Sequence, residues 1–346
     1  MRIGQLIETL PHYLKAREPI LLVGPPGVGK TDGMLQAAAS LGYDVQVSHP
    51  VVEDPTYAAG YPFPAPDHES ARFLPFGHLA RACKATKPLL WFLDDLGQAS
   101  RATQASYMQL LLGRAVGEHK LPDCVVFAAA TNRRTDASGV EGILAAVLSR
   151  FATVLQVETH LDDWCAWACT QGIDPRLIAF LRLRPDLLHA FDPTKTRDME
   201  PFPCPRTWAK LDAVLRMPLA VAVRCEAYCG TVGRGAGTEF VAFLDLWGRL
   251  PNIDGILLAP DTAPVPARSE SAVLYALAAG LAYRATAQNV GRVLRYCERL
   301  REARCEEYAA LCIRDTIRRH PAVQNTAEFV TLCSSEFGRE LLGQAA

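Results

Sequence analysis

Up to about residue 157, short apolar runs alternate with stretches whose apolar residues recur every three or four positions. PILLVG, DVQVS, PLLWFLDD, CVVFAAATN and ATVLQVE are five runs of strand length. Ile3 to Ala16 before the first run, and Lys30 to Ser40 and Ser100 to Leu112 between runs, carry helical spacing. Near-continuous apolar strands separated by helices predict a parallel sheet with helices on both faces. Val51 to Phe76 is rich in Pro, Gly and aromatics and predicts a long surface loop. From Leu161 onward the strand pattern fades. DDWCAWACTQG, PRLIAFLRL, RTWAKLDAVLRM and EFVAFLDLWGRL have helical spacing, and Ser271 to Leu342 reads as a run of helices with interleaved Arg and Glu. A Pro-rich connector, FDPTKTRDMEPFPCPRTW (191 to 208), lies within this helical half.

Composition narrows the class. The 346 residues suffice for one large domain with a smaller one or an extension. With 49% apolar and 21% charged residues the chain is an ordinary globular one. A formal net charge of -1 argues against a nucleic-acid or membrane-surface partner. The 11 cysteines are scattered, without a C-x-x-C pair, so buried thiols are expected rather than a zinc site. The N-terminal stretch lacks the features of a signal peptide, and no 18-residue apolar run occurs, so a reducing cytoplasm is the expected location.

The chemistry starts at GPPGVGKT, Gly24 to Thr31, which matches G-x-x-x-x-G-K-[ST] between a predicted strand and a predicted helix. The candidate phosphate-binding residues are Gly24, Pro25, Pro26, Gly27, Val28, Gly29, Lys30 and Thr31, with Asp32 next in the helix. The glycines let backbone N–H groups turn toward a phosphate, and the helix N-terminus adds its dipole. Lys30 would reach the β and γ oxygens of ATP, and the Thr31 hydroxyl would hold Mg²⁺. A chance match arises on the order of once in a hundred chains of this length. Asp94 and Asp95 end the strand LLWFLDD, at the sheet edge where ligands sit in doubly wound folds. Asp94 would orient the Mg²⁺ shell and Asp95 would polarise the attacking water; alternatively, the pair caps the helix that follows. Asn132 ends the next strand, where it serves either a turn or the γ-phosphate. Arg150 precedes the fifth strand, a place that suits a solvated helix end or an arginine finger. Arg206 opens a helix, where a cation opposes the dipole, so it serves something other than that helix.

This order of phosphate loop, acidic strand end, strand-end Asn, S-R-F and P-R resembles the AAA+ ATPases. LDDLGQASRATQASYMQLLLGRAVGEHKLPD and CPRTWAKL look most like the MoxR-type branch, over roughly residues 1 to 220. The resemblance implies an α/β P-loop AAA+ core of five parallel strands (1–157), a helical lid (158–220) and a helical C-terminal extension (221–346). It implies a homo-oligomeric ring, commonly a hexamer, binding ATP and Mg²⁺ between subunits. Asn132 would then be sensor 1, Arg150 the finger acting in trans, and Arg206 sensor 2. A protein client, with a von Willebrand factor A domain protein as the first guess, is implied in the same way. The family usually has Glu where Asp95 stands, and Gly97-Gln98 replace a common Asn-Arg. Two rival readings are a nucleic-acid motor and an ATP-binding switch that hydrolyses poorly.

Two further stretches are weighed. His49 and the aromatics of YPFP and RFLPFGHL face either a ring pore or a client, or form a loop packed on its own hydrophobes, which is the favoured expectation. In RVLRYCERLREARCEEYAALCIRDTIRRH, Glu298, Glu302, Glu306, Glu307 and Asp315 interleave with the arginines and predict a solvated face.

Overall fold

The computed structural model describes residues 1–66, 69–116, 119–136, 142–193, 200–248, 250–335 and 337–339. Parts of the 191 to 208 connector and the end of the Ser271 to Leu342 run lie outside them. The chain divides into two compact units, Met1–His160 with Asp192–Thr194, and Leu161–Phe191 with Lys195–Ala346.

The first unit follows the alternation in the sequence. Its strands are β1 (Ile20–Val23), β2 (Asp44–Ser48), β3 (Tyr61–Pro64), β4 (Ala71–Leu74), β5 (Leu89–Leu93), β6 (Ala115–Val116), β7 (His119–Lys120), β8 (Val125–Thr131) and β9 (Thr153–Gln156). Its helices are α1 (Ile3–Ala16), α2 (Lys30–Ser40), α3 (Thr56–Ala59), α4 (Gly77–Cys83), α5 (Arg101–Ser106), α6 (Met108–Gly113) and α7 (Ala145–Leu148). Five strands form a parallel sheet in the order β2-β5-β8-β1-β9. Because side chains alternate along a strand, the central strands β1, β5 and β8 each feed two cores. Ile20 and Leu22 point with Leu90, Phe92, Ala128 and Ala130 toward α1 and α2, where Leu6, Leu10 and Leu14 recur every fourth residue. Leu21, Trp91, Leu93, Phe127 and Ala129 point to the other side, against Leu79, Tyr107, Leu110 and Val147. Both faces are therefore buried, as the apolar runs require.

Two expectations change. Val51 to Phe76 is not an unstructured loop: β3 and β4 pair as an antiparallel hairpin, with Tyr61 opposite Leu74 and Pro64 opposite Ala71. Its aromatics do not bury one another, since Tyr61 is 60% and Phe63 52% exposed. A hairpin of two edge strands tolerates Pro62 and Pro64, which lie two apart on one side of the strand and need no ladder partner there. Second, the helix expected over Ser100 to Leu112 is two helices, α5 and α6, meeting at Tyr107.

The second unit is helical: α8 (Leu161–Thr170), α9 (Pro175–Leu183), α10 (Pro205–Leu215), α11 (Val221–Val232), α12 (Arg234–Trp247), α13 (Ile253–Leu258), α14 (Ser271–Arg284), α15 (Val290–Glu302), α16 (Glu306–Arg319) and α17 (Ala327–Ser334). One core joins α8 to α12, and a second gathers α13 to α17; α14 contributes Ala276 and Ala279 to the first and Leu277 and Leu281 to the second. Asp315 corrects the solvated-face expectation for its helix. It is buried, and its carboxylate accepts two hydrogen bonds from the Arg182 guanidinium, at 2.6 and 2.8 Å. Elsewhere on these helices the arginines do bridge the surface, as in Arg295–Glu298 at 3.0 Å. All eleven cysteines are free; most are buried, and Cys225 is exposed.

Candidate nucleotide site

Parallel pairing in register brings the chemistry to one edge of the sheet. Val23 lies beside Thr131, and Leu93 beside Ala129, so Gly24, Asn132 and Asp94 all leave the sheet at its C-terminal edge. The Gly24 N–H bonds the Thr131 carbonyl at 3.3 Å. A Cβ at Gly24 would lie 2.5 Å from the Val157 carbonyl oxygen, so only glycine fits there. Gly27 (φ 76°) and Gly29 (φ 100°) take left-handed conformations that curl the loop. Val28 is buried in the α1–α2 core and pins the loop from beneath. Gly29 caps α2, which starts at Lys30 with Asp32 in its first turn, where a carboxylate suits the dipole.

Lys30 is buried, and its Nζ donates to the Gly24 carbonyl (2.9 Å), the Pro25 carbonyl (3.1 Å) and Asn132 Oδ1 (2.8 Å). A cation in such a site needs oxygens around it, and a phosphate is the ligand that would match its charge. The Thr31 hydroxyl donates to Asp94 Oδ2 at 2.7 Å. One hydroxyl and one carboxylate side by side form a hard-oxygen pair suited to Mg²⁺, which takes few protein ligands when it is shared with phosphates. Among the described residues, no cluster of three or more His, Cys, Asp or Glu could hold a metal by itself.

Asp94 Oδ1 accepts the Asp95 N–H at 3.1 Å. Asp95 has φ 55° and ψ 33°, and its side chain makes no cap bond to the following turn, Leu96–Gln98. Ser100 caps α5, accepting the Thr103 N–H at 3.2 Å. The cap of α5 is therefore Ser100 and not either acid.

Arg150 is placed elsewhere. Ile20, where β1 begins, pairs with Thr153, and the Ala152 N–H bonds the Pro19 carbonyl at 2.8 Å. Arg150 therefore lies at the N-terminal edge of the sheet, opposite the edge that carries Gly24, and is not brought to its own phosphate loop. Its Nε donates to the Met108 carbonyl at 3.0 Å, and a second guanidinium N–H donates to the Ala146 carbonyl. With Met108, Gln109, Leu112, Gly113 and Ala115 it lines a cavity of about 340 Å³. Arg206 belongs to the second unit, exposed in the first turn of α10.

Several polar residues around the site escape sequence reasoning. Glu53, in the segment after β2, accepts a hydrogen bond from the Tyr107 hydroxyl, and its backbone carbonyl accepts one from Thr103 at 3.0 Å. Burial first, and the Glu53 carboxylate second, push the Tyr107 phenol well above its ordinary value. The Arg133 guanidinium grips the buried Asp136 at 2.9 Å just beyond Asn132. Gln104 is wholly buried within α5. None of these carries a local motif; only the strand-helix order around them is visible in the sequence.

Strand order, phosphate loop and acidic strand end together define an α/β core with a P-loop on a five-stranded parallel sheet, and the chain continues into a helical unit. No protein-family model matches the sequence, and no curated protein matches it. Among solved structures, the chain is similar to a variant of RuvB from Thermotoga maritima (15% identity, TM-score 0.41, 81% of each chain covered). It is also similar to NtrX from Brucella abortus, solved in complex with ADP (16% identity, TM-score 0.40, 99% of this chain and 68% of that one). No helix among the described residues is long and apolar enough to cross a membrane.

Proposed function

We propose that the chain is a Mg²⁺-dependent ATPase of the AAA+ kind that works as a homo-oligomeric ring, commonly a hexamer in such proteins, and remodels or activates a protein client. The observation that carries this reading is the pairing at one sheet edge of Thr31 with Asp94 at 2.7 Å, beside Lys30 held 2.8 Å from Asn132. Mg²⁺ bound with ATP supplies neutralisation of the β- and γ-phosphate charge. Lys30 binds the phosphate oxygens, the backbone from Gly24 to Gly29 cradles them, and Thr31 and Asp94 hold the metal. Asp95 polarises the attacking water and Asn132 orients it. Arg150, at the opposite sheet edge from its own loop, acts on the neighbouring copy's γ-phosphate. Residues 158–220 serve as the lid that presents Arg206, and 221–346 as an extension of it.

The protein-client reading is supported by the exposed Tyr61, Phe63 and Phe73 of the β3–β4 hairpin and by the net charge of -1. The likeness of LDDLGQASRATQASYMQLLLGRAVGEHKLPD to the MoxR-type branch makes a von Willebrand factor A domain protein the first partner to test. Phosphate release, measured at concentrations that support assembly, is expected in the wild type and reduced to background in Lys30→Ala, with at least tenfold weaker binding of a fluorescent ATP analogue. Equal release from both proteins sinks the enzyme reading. Stimulation by single-stranded DNA that falls steeply with salt identifies a nucleic-acid motor instead.

A further inference from the structure

α7 is a single turn of four residues, too short to hold its own position. Its placement therefore depends on what its flanks touch, and its N-terminal flank touches Gln104. The Gln104 amide Nε2 donates to the Ala99 carbonyl at 3.0 Å and to the Gly142 carbonyl at 2.9 Å. Its Oε1 accepts the Leu144 N–H at 3.0 Å. Leu144 is the N-cap of α7, and its carbonyl accepts the N–H groups of Val147 (2.9 Å) and Leu148 (2.8 Å). Beyond α7 comes Arg150, whose guanidinium is aimed by the Met108 carbonyl at the start of α6 and by the Ala146 carbonyl within α7. One buried amide thus ties the helix after the acid pair to the helix that presents Arg150.

The chemistry of the position calls for an amide. Two carbonyls need donors and one N–H needs an acceptor, and among side chains of this length only Gln supplies both. Leu would leave the buried Ala99 carbonyl and the half-buried Gly142 carbonyl and Leu144 N–H without this partner, and Glu would set an anion against two carbonyl oxygens.

We infer that Gln104 is a positioning residue for Arg150: it fixes α7 on α5 and so sets where the guanidinium is offered to the neighbouring copy. This rests on the reading of Arg150 as acting in trans. Gln104 belongs to the copy that donates Arg150, and its side-chain bonds go to Ala99, Gly142 and Leu144, not to Gly24–Thr31, Asp94, Asp95 or Asn132.

The test measures phosphate release of Gln104→Leu, Arg150→Ala and Lys30→Ala, alone and in equimolar mixtures, with binding of the fluorescent ATP analogue to dilute subunits. Gln104→Leu is expected to lower kcat about tenfold to a hundredfold, the scale of a misplacement near 1 Å, with affinity within about twofold of wild type. Mixed with Lys30→Ala, which keeps Gln104 and Arg150, it recovers activity as Arg150→Ala does. A wild-type kcat, a parallel loss of affinity, or recovery by Arg150→Ala but not by Gln104→Leu overturns the inference. If neither mixture recovers, amide exchange decides. Faster exchange over residues 142–150 with unchanged exchange over 24–31 supports the tie, and unchanged exchange in both refutes it. A fully active Arg150→Ala removes the trans reading and the inference with it, whereas a fully active Gln104→Leu beside a silent Arg150→Ala removes the inference alone. Should Gln104→Leu fail to fold, Leu144→Pro reaches the same bond from the other side. Its φ of −57° suits the proline ring, and the N–H that Gln104 accepts is lost together with part of an apolar side chain packed on the core, so the same pattern is expected with some added loss of stability.

Discussion

At Asp95 the backbone has φ 55° and ψ 33°, a left-handed conformation in which Asp and Asn are several-fold commoner than longer side chains. This is a physical reason for a short acid rather than Glu at this position. The side chain loses reach of roughly one bond length, about 1.5 Å, and the chain turn that carries it is made easier. Asp95→Asn isolates the charge, because Asn tolerates the same conformation and has the same shape. Replacement of a group that activates water is expected to lower kcat about 10²- to 10⁴-fold while the thermal midpoint stays within a few degrees. An unchanged kcat would show that another group activates the water.

At the scale of elements, the buried Arg182–Asp315 pair joins α9 to α16 inside the second unit. Removing one partner strands a charge in the interior. Asp315→Ala is therefore expected to cost about 3–5 kcal/mol in urea unfolding, whereas replacing both with apolar residues costs far less. If the single variant unfolds at the wild-type urea concentration, the pair carries no stability. Asp315 also shows what a sequence conceals. Its neighbours read as a charged surface, and only a partner 133 positions away reveals it as interior. Gln104, Tyr107 and Glu53 are hidden for the same reason: the contacts that join them to other segments span 38 to 54 residues and leave no period behind. The β3–β4 hairpin was masked by Pro62 and Pro64, which usually argue against a strand. What could be read was local or periodic. α1 and α2 follow from apolar spacing, the phosphate loop from eight contiguous residues, and Asp94 and Asn132 from standing at the ends of apolar strands.

For the whole molecule, the buried thiols set an alkaline limit. Burial pushes Cys165 and Cys169 up to about 12, from an ordinary value near 9. The unfolded chain then ionises first, and the native state holds its protons more tightly. Stability from these groups is complete below about pH 9 and is lost as pH rises from there toward 12. The urea midpoint of the second unit is expected to fall across that window, and less steeply in a Cys165→Ala/Cys169→Ala variant. A level midpoint across the window contradicts the burial argument.

The placement of Gly24 and Arg150 at opposite edges of one sheet also bears on inheritance. In the proposed ring, a copy with a defective Arg150 keeps its own phosphate loop and disables the site next door. The lesion is carried by one molecule and felt by another, so a cell holding both alleles loses function in its normal copies too. A Lys30 lesion strikes the copy that bears it. Either lesion silences one site per defective copy, but the Arg150 lesion silences a site whose own residues are all normal, because the strands of this sheet run in parallel.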